Sequence, residues 1–446
     1  MNHPEQSQSK ENSGLHKTLG PIHLWGIAVG LVISGDYFGW NLGWSVAGFW
    51  EFALAVFIIA VFYICFALCF TELAASIPHS GGPFAYSHLA LGKIGGFISG
   101  FLVLAEFILA PPAIASALGG YFHFLFPVIP DLYASFGFFG ILVIINLLGV
   151  KQTARFELFV TITAICGLLL YLGAILPYFS FQSFAKLPAF AEFSLSSFFQ
   201  SIPFAIWFFL AVEGVAMAAE EVKDPKKDIP KGYAAGIGTL IFLASSIFIG
   251  TAGVVPTKEV AGLDYPLSFV LTKLYGTDSY IAKIFTFIGL FGLIASLFGI
   301  ILGSSRLVYA LSKEKFLPGF LGKLNHKTHV PVNAVFVGAA IGFLALCVGK
   351  TSELITASAL GACGMYVVSM ISFFVLRKKE PNRSRPYVAP FYPVLAMIAL
   401  VLGLVALVSV IYSNPFVALL LFVGFAVSTV GFMLWGRRGE RKQVHT

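Results

Sequence analysis

An all-α polytopic membrane fold is predicted by three features of this chain. They are its composition, the length of its apolar runs, and two runs that are each interrupted by a carboxylate. Of 446 residues, 58% are hydrophobic and 11% charged, and mean hydropathy is +0.88. A soluble domain carries roughly 25% charged residues. The apolar runs are continuous and about 20 residues long, enough for a helix to cross a bilayer. A transmembrane β-barrel would alternate apolar and polar residues in short strands instead.

Twelve transmembrane helices are read, at 22–46, 50–76, 94–119, 131–150, 156–177, 197–220, 233–254, 280–311, 332–349, 353–376, 391–412 and 415–435. The eighth is long enough to tilt or to extend past the bilayer. The polar stretch 1–20, with Pro4 and several Ser and Gln, lacks the regions of a signal peptide and reads as a disordered tail. Residues 21–436 form one membrane domain, and 437–446 a second tail.

With these spans, 23 of the 28 Lys and Arg fall on one side and 5 on the other. The positive-inside rule puts the rich side, with both termini, in the cytoplasm. A bacterial inner membrane is the expected location. The +7 net charge is therefore a topology signal and does not point to nucleic acid. Cys65, Cys69, Cys166, Cys347 and Cys363 all lie inside apolar spans, with no disulfide or metal spacing. No metal, cofactor or P-loop motif is found, which argues against nucleotide-driven transport.

The two interrupted runs are the first and the sixth. GLVISGDYFG (30–39) carries Asp36, and WFFLAVEGVAMAAEE (207–221) carries Glu213. A charge at the centre of a membrane helix costs about 2.5–3.5 kcal/mol on insertion scales, so such residues are rare and usually functional. Spans 1 and 6 run in opposite directions with five spans between their starts. Spans 1–5 and 6–10 then form a 5+5 inverted repeat with two spans appended, and paired broken helices mark a transporter's binding site. Breaks free backbone groups, which become available to a polar ligand. Glycine at Ser34-Gly35 allows close backbone approach there. Two carboxylates imply a cationic substrate.

Five strings, in order, resemble the amino acid–polyamine–organocation (APC) superfamily. They are TELAASIPHSGGPFAYSHLALG (71–92), NLLGVKQTARFE (146–157), EEVKDPKKDIPKG (220–232), SSRLVYALSKEKFLP (304–318) and RPYVAPFYP (385–393). Within it, residues 20–48 and 204–225 resemble the bacterial ethanolamine permeases. The resemblance implies a LeuT-type fold with substrate held at the midplane between spans 1, 3, 6 and 8.

It also implies a set of binding residues: Ser34, Gly35, Asp36 and Tyr37 in span 1, Glu106 in span 3, and Trp207, Phe209, Leu210 and Glu213 in span 6. Relatives that carry amino acids hold the substrate carboxylate on the amides of the first break. Asp36 at that point would repel a carboxylate and welcome an ammonium group. Glu213 is the proton-coupling candidate, since proton and cation can compete for one carboxylate. It can equally cap the second half of its broken helix. Glu106 precedes Pro111 and Pro112, which would kink its helix, and is either a cavity acid or a buried acid paired with a hydroxyl. Tyr37 and Trp207, and less so Trp40, Phe208 and Phe209, offer cation–π faces.

Glu220 and Glu221 read as a solvated cap or part of an inner gate, with Glu72 and Arg155 at helix ends. The expected function is proton-linked or facilitative import of ethanolamine by alternating access. The alternative is an amino acid or polyamine permease of the same fold. A membrane enzyme would need a nucleophile–base pair or metal cluster, and neither is found. Partners are then the small amine, protons and the lipid bilayer, with no nucleic acid or nucleotide.

Overall fold

A computed structural model describes residues 17–149, 154–185, 193–328 and 330–443. Among these residues the chain is helical with no strand, apart from one isolated bridge between Leu19 and Val222. Eight helices are long and apolar enough to cross a membrane, and four shorter apolar helices accompany them.

The first is α1 (Pro21–Val32), which continues irregularly through short segments to Val46. Next come α2 (Phe49–Ser76), α3 (Pro83–Leu125), α4 (Asp131–Leu147) and α5 (Ala154–Ile175). The sixth begins as α6 (Leu195–Trp207) and ends as a 3-10 segment, Val212–Glu221. Then follow α7 (Pro225–Ala252), α8 (Tyr280–Lys313), α9 (Val332–Val348), α10 (Thr351–Lys379), α11 (Val394–Ser413) and α12 (Pro415–Gln443). Proline opens α1, α3 and α7, where its fixed φ and missing N–H cost nothing. Ser194 and Ser279 cap α6 and α8 by accepting the N–H of Ser197 and Ala282.

Four stretches differ from expectation for physical reasons. Residues 1–16 lie outside the described residues, but the end of the expected disordered tail is docked: the N–H groups of Thr18 and Leu19 both donate to the Glu221 carbonyl, and Lys223 N–H donates back to Leu19. Helix α3 starts well before 94 and turns at Gly92, whose φ of 75° favours glycine. The segment after α7, between the seventh and eighth expected spans, folds into two short helices, Thr257–Val260 and Pro266–Tyr275. Helix α12 also continues past 436 into the expected second tail, as far as Gln443. At 34 residues α8 is about 51 Å long and exceeds an apolar core of about 30 Å.

Close packing fixes the centre. A Cβ on Gly361 of α10 would lie 2.7 Å from the Leu102 carbonyl oxygen and 2.9 Å from the Glu106 nitrogen. Glycine thus lets α10 lie directly on α3 at the level of Glu106, an arrangement common between membrane helices.

Candidate functional site

The first break is wider than expected. The helix pauses at Ile33, makes one turn over Ser34–Tyr37, and breaks at Phe38 and Gly39. Phe38 is extended (φ −158°, ψ 172°) and Gly39 has φ 88°. The sharp departure therefore follows Ser34-Gly35 rather than falling on it. The second break centres on Ala211, a non-glycine residue at φ 73° and ψ 12°. The left-handed region costs an L-residue about 1–2 kcal/mol. Leu210 beside it is buried, and Glu213 sits in the first turn of the second segment.

Carbonyls orphaned by the first break are taken by aromatic donors. Trp40 Nε1 donates to the Asp36 carbonyl (3.1 Å), the Tyr121 hydroxyl to that of Tyr37 (2.9 Å), and Trp207 Nε1 to that of Phe38 (3.0 Å). These three consecutive carbonyls are thus satisfied by the protein, as buried acceptors must be. The freed backbone oxygens expected to face a ligand are already occupied at 36–38. Upstream, Ser296 Oγ of α8 donates to the Leu31 carbonyl (2.6 Å) and lies 2.8 Å from Ser34 Oγ.

Other proposed contacts sort by what they touch. Tyr37 is fully buried, donates to the Ala164 carbonyl of α5 (2.7 Å), and stacks on Phe285 of α8 with ring centroids 5.8 Å apart. Its ring is packed between α5 and α8. Phe208 stacks on Trp40 at 5.4 Å, and Phe209 lies 5.0 Å from the Tyr63 ring. Gly35 faces the Trp207 carbonyl, so its close approach is to α6.

The carboxylates are the unusual part. Asp36, Glu106 and Glu213 have no exposed surface. Glu106 faces Glu213 and the Ala211 amide, yet neither of its oxygens makes a well-formed hydrogen bond. Glu213 Oε2 accepts from the Tyr366 hydroxyl of α10 (3.2 Å), which lies 2.9 Å from the Tyr63 hydroxyl of α2. Glu213 Oε1 and both Asp36 oxygens have no hydrogen-bond partner. The structure brings Glu106 and Glu213 together, and Asp36 bonds to neither. Ser358 of α10 donates to the Glu106 carbonyl (3.1 Å), so the hydroxyl expected near this acid meets its backbone. Buried carboxylates without donors are costly unless a cation or proton is supplied.

Tyr63 and Tyr366 were not among the expected site residues. Both are fully buried tyrosines, a type that usually finds a partner for its hydroxyl. Nothing in their local sequence distinguishes them from other aromatics. Glu220 and Glu221 are half-buried rather than solvated: Glu220 accepts from the Ser80 N–H (2.7 Å) and Glu221 pairs with Arg306 of α8 (3.1 Å). Among the described residues no three His, Cys, Asp or Glu group as metal ligands.

The amino acid permease family model matches residues 19–435. The chain is 27% identical to a methylthioribose transporter of Bacillus subtilis, over 97% of this chain and 96% of that protein. It is 24% identical to the branched-chain amino acid permease BcaP of the same organism, over 86% of each. A chloroplastic cationic amino acid transporter of Arabidopsis thaliana is 24% identical over 63% of this chain and 52% of its own length. The family and these relatives are transporters, so this is a membrane transporter and not an enzyme. With nearly its whole length matched, the chain belongs to the amino acid permease family.

Proposed function

We propose that the protein imports a small organic amine, ethanolamine in the first place, by alternating access. The observation that carries this reading is the set of buried carboxylate oxygens on Asp36, Glu106 and Glu213 that lack hydrogen-bond donors. An ammonium group brings three N–H donors and a positive charge. A zwitterion would also bring a carboxylate next to Asp36. Trp207 and Phe209 in the second break complete the substrate contacts, with Ser34, Gly35 and Leu210 shaping the walls. Tyr37 supports the site from behind.

In this reading Glu213 also binds the proton, because ammonium and proton compete for its free oxygen. Its position beside Glu106 supports that role. The topology proposed is twelve spans in a LeuT-type 5+5 inverted repeat, both termini cytoplasmic, in a bacterial inner membrane. The eight long and four shorter apolar helices support the count, and the breaks in the first and sixth support the repeat.

A second reading is an amino acid substrate, favoured by the family and by the branched-chain and cationic amino acid relatives. Uptake of labelled ethanolamine into proteoliposomes, with unlabelled ethanolamine, putrescine or alanine as competitor, separates these readings. Competition by ethanolamine alone supports the amine importer. Competition by alanine at equal strength assigns an amino acid permease, and by putrescine a polyamine permease.

A further inference from the structure

The Lys- and Arg-rich end of the bundle holds a cleft of about 670 Å³ between the end of α10 and the start of α11. Arg377, Lys378, Arg385, Val388 and Tyr392 line it. Its floor is an ion cluster. Glu72 of α2, almost fully buried, receives Nε and Nη2 of Arg377, Nε of Arg385 at 3.2 Å, and the Ala389 N–H at 2.7 Å. Two guanidinium groups on one carboxylate leave positive charge in excess.

The two arginines differ in what they have left. Arg385 spends Nη1 on the carbonyls of Pro381 and Arg383, and Nη2 on those of Leu376 and Glu380. Arg377 keeps Nη1 without a hydrogen bond among the described residues, while its guanidinium lies against the rings of Tyr392 (4.1 Å) and Phe373 (5.0 Å). Lys378 is exposed and makes no ion pair or hydrogen bond among the described residues. Beside these charges the surface is apolar: Val388 of the lining is 58% exposed, and Phe391 and Val394, which flank the lining residue Tyr392 in sequence, are 79% and 57% exposed, with Val394 opening a membrane-length helix.

We infer that this cleft seats the phosphodiester headgroup of an anionic phospholipid. Lys378 and the free edge of Arg377 hold the phosphate, and the acyl chains run over Val388, Phe391 and Val394. Basic pockets between membrane helices on the Lys- and Arg-rich side recognise anionic headgroups. A free phosphate ion would gain nothing from the apolar rim, so the lipid is the occupant that uses the whole surface.

Native mass spectrometry of the purified full-length transporter, with phosphatidylglycerol or phosphatidylcholine of identical chains added, tests this. Phosphatidylglycerol adducts should exceed phosphatidylcholine adducts. Lys378→Gln should cut that excess about fivefold, the worth of one basic residue near a lipid surface, and Lys378→Arg should keep it. Lys378 lies outside the Glu72 cluster, so the variants fold, and an unchanged melting temperature checks that. Equal binding of both lipids, or an undiminished excess in Lys378→Gln, overturns the proposal. Displacement of phosphatidylglycerol by millimolar inorganic phosphate also overturns it, because the site would then take a free anion.

Discussion

Gly35 of the first broken helix packs on the backbone of Trp207 in the second: a Cβ at Gly35 would sit 2.3 Å from the Trp207 carbonyl oxygen and 3.1 Å from Phe208 Cα. Neither backbone atom can swing aside as a side-chain tip would. The glycine holds the two breaks together, and Trp207 in turn donates to the Phe38 carbonyl. Gly35→Ala should therefore destabilise the transporter by about 1–3 kcal/mol, the usual range for overpacking. The check is melting temperature and membrane abundance beside Gly137→Ala, whose added Cβ would meet nothing within 4 Å. Gly35→Ala should fall in both measures and Gly137→Ala in neither. A Gly35→Ala protein of normal stability with lost uptake would return this glycine to direct substrate contact.

Tyr366 donates to Glu213 Oε2 at 3.2 Å. Tyr366→Phe removes that hydroxyl donor, and a hydrogen bond to a charged group is worth about 1.5–3 kcal/mol. Ethanolamine uptake efficiency should drop about tenfold. Tyr63→Phe keeps the Tyr366–Glu213 bond and should cost less. Initial-rate uptake across a substrate series measures both. Equal losses in the two variants would mean that the tyrosines act as packing and not through Glu213.

Much of this architecture was legible in the sequence because membrane helices announce themselves by length. Helix α2 begins one residue from its expected start, and both broken spans were marked by a carboxylate within an apolar run. The detail of the breaks was hidden. Ala211 carries the left-handed turn of the second, and alanine gives no local signal for it. The donors that close the Asp36, Tyr37 and Phe38 carbonyls include Tyr121 and Trp207, far away in sequence. The same distance conceals the Tyr63–Tyr366–Glu213 chain, which joins α2, α10 and the sixth span. Two buried glutamates could be read as acids of interest, but not that they face one another.

The hairpin at 257–275 should respond to pH. Asn41 Nδ2 donates to the Val260 and Leu263 carbonyls (2.6 and 2.9 Å), and the Ser45 hydroxyl donates to the Ala261 carbonyl. These bonds dock the hairpin on the first span. Burial pushes the nearby Asp264 carboxyl above its usual value; the Thr351 hydroxyl opposes that shift and Asp131 adds to it. A carboxyl raised in the docked state binds its proton more tightly there than when undocked. Docking is then fully stabilised below the usual carboxylate range and weakens as pH rises through the raised value. Hydrogen exchange over 257–275, corrected for intrinsic rates, should show more protection at about pH 4 than at neutral pH. Asp264→Asn should abolish the difference. A pH dependence that survives in Asp264→Asn would place the sensor elsewhere.

Asp36 offers a separate test of charge. Its carboxylate is fully buried with neither oxygen bonded. Asp36→Asn keeps the size and removes the charge, and should weaken ethanolamine binding by about tenfold or more. Glu213→Gln should instead flatten the pH dependence of uptake. Parallel effects of the two variants on binding and on pH profile would mean that the acids act as one group, although Asp36 makes no hydrogen bond to Glu213.

The most direct measurement is the dissociation constant of ethanolamine for the purified transporter, taken side by side with that of serine, which carries the same amine and hydroxyl plus a carboxylate. Buried acids that require a cation and repel a carboxylate predict that ethanolamine binds at least about tenfold more tightly, a difference of about 1.4 kcal/mol. Serine binding as tightly as ethanolamine, or more tightly, would contradict the amine reading and assign the site to an amino acid.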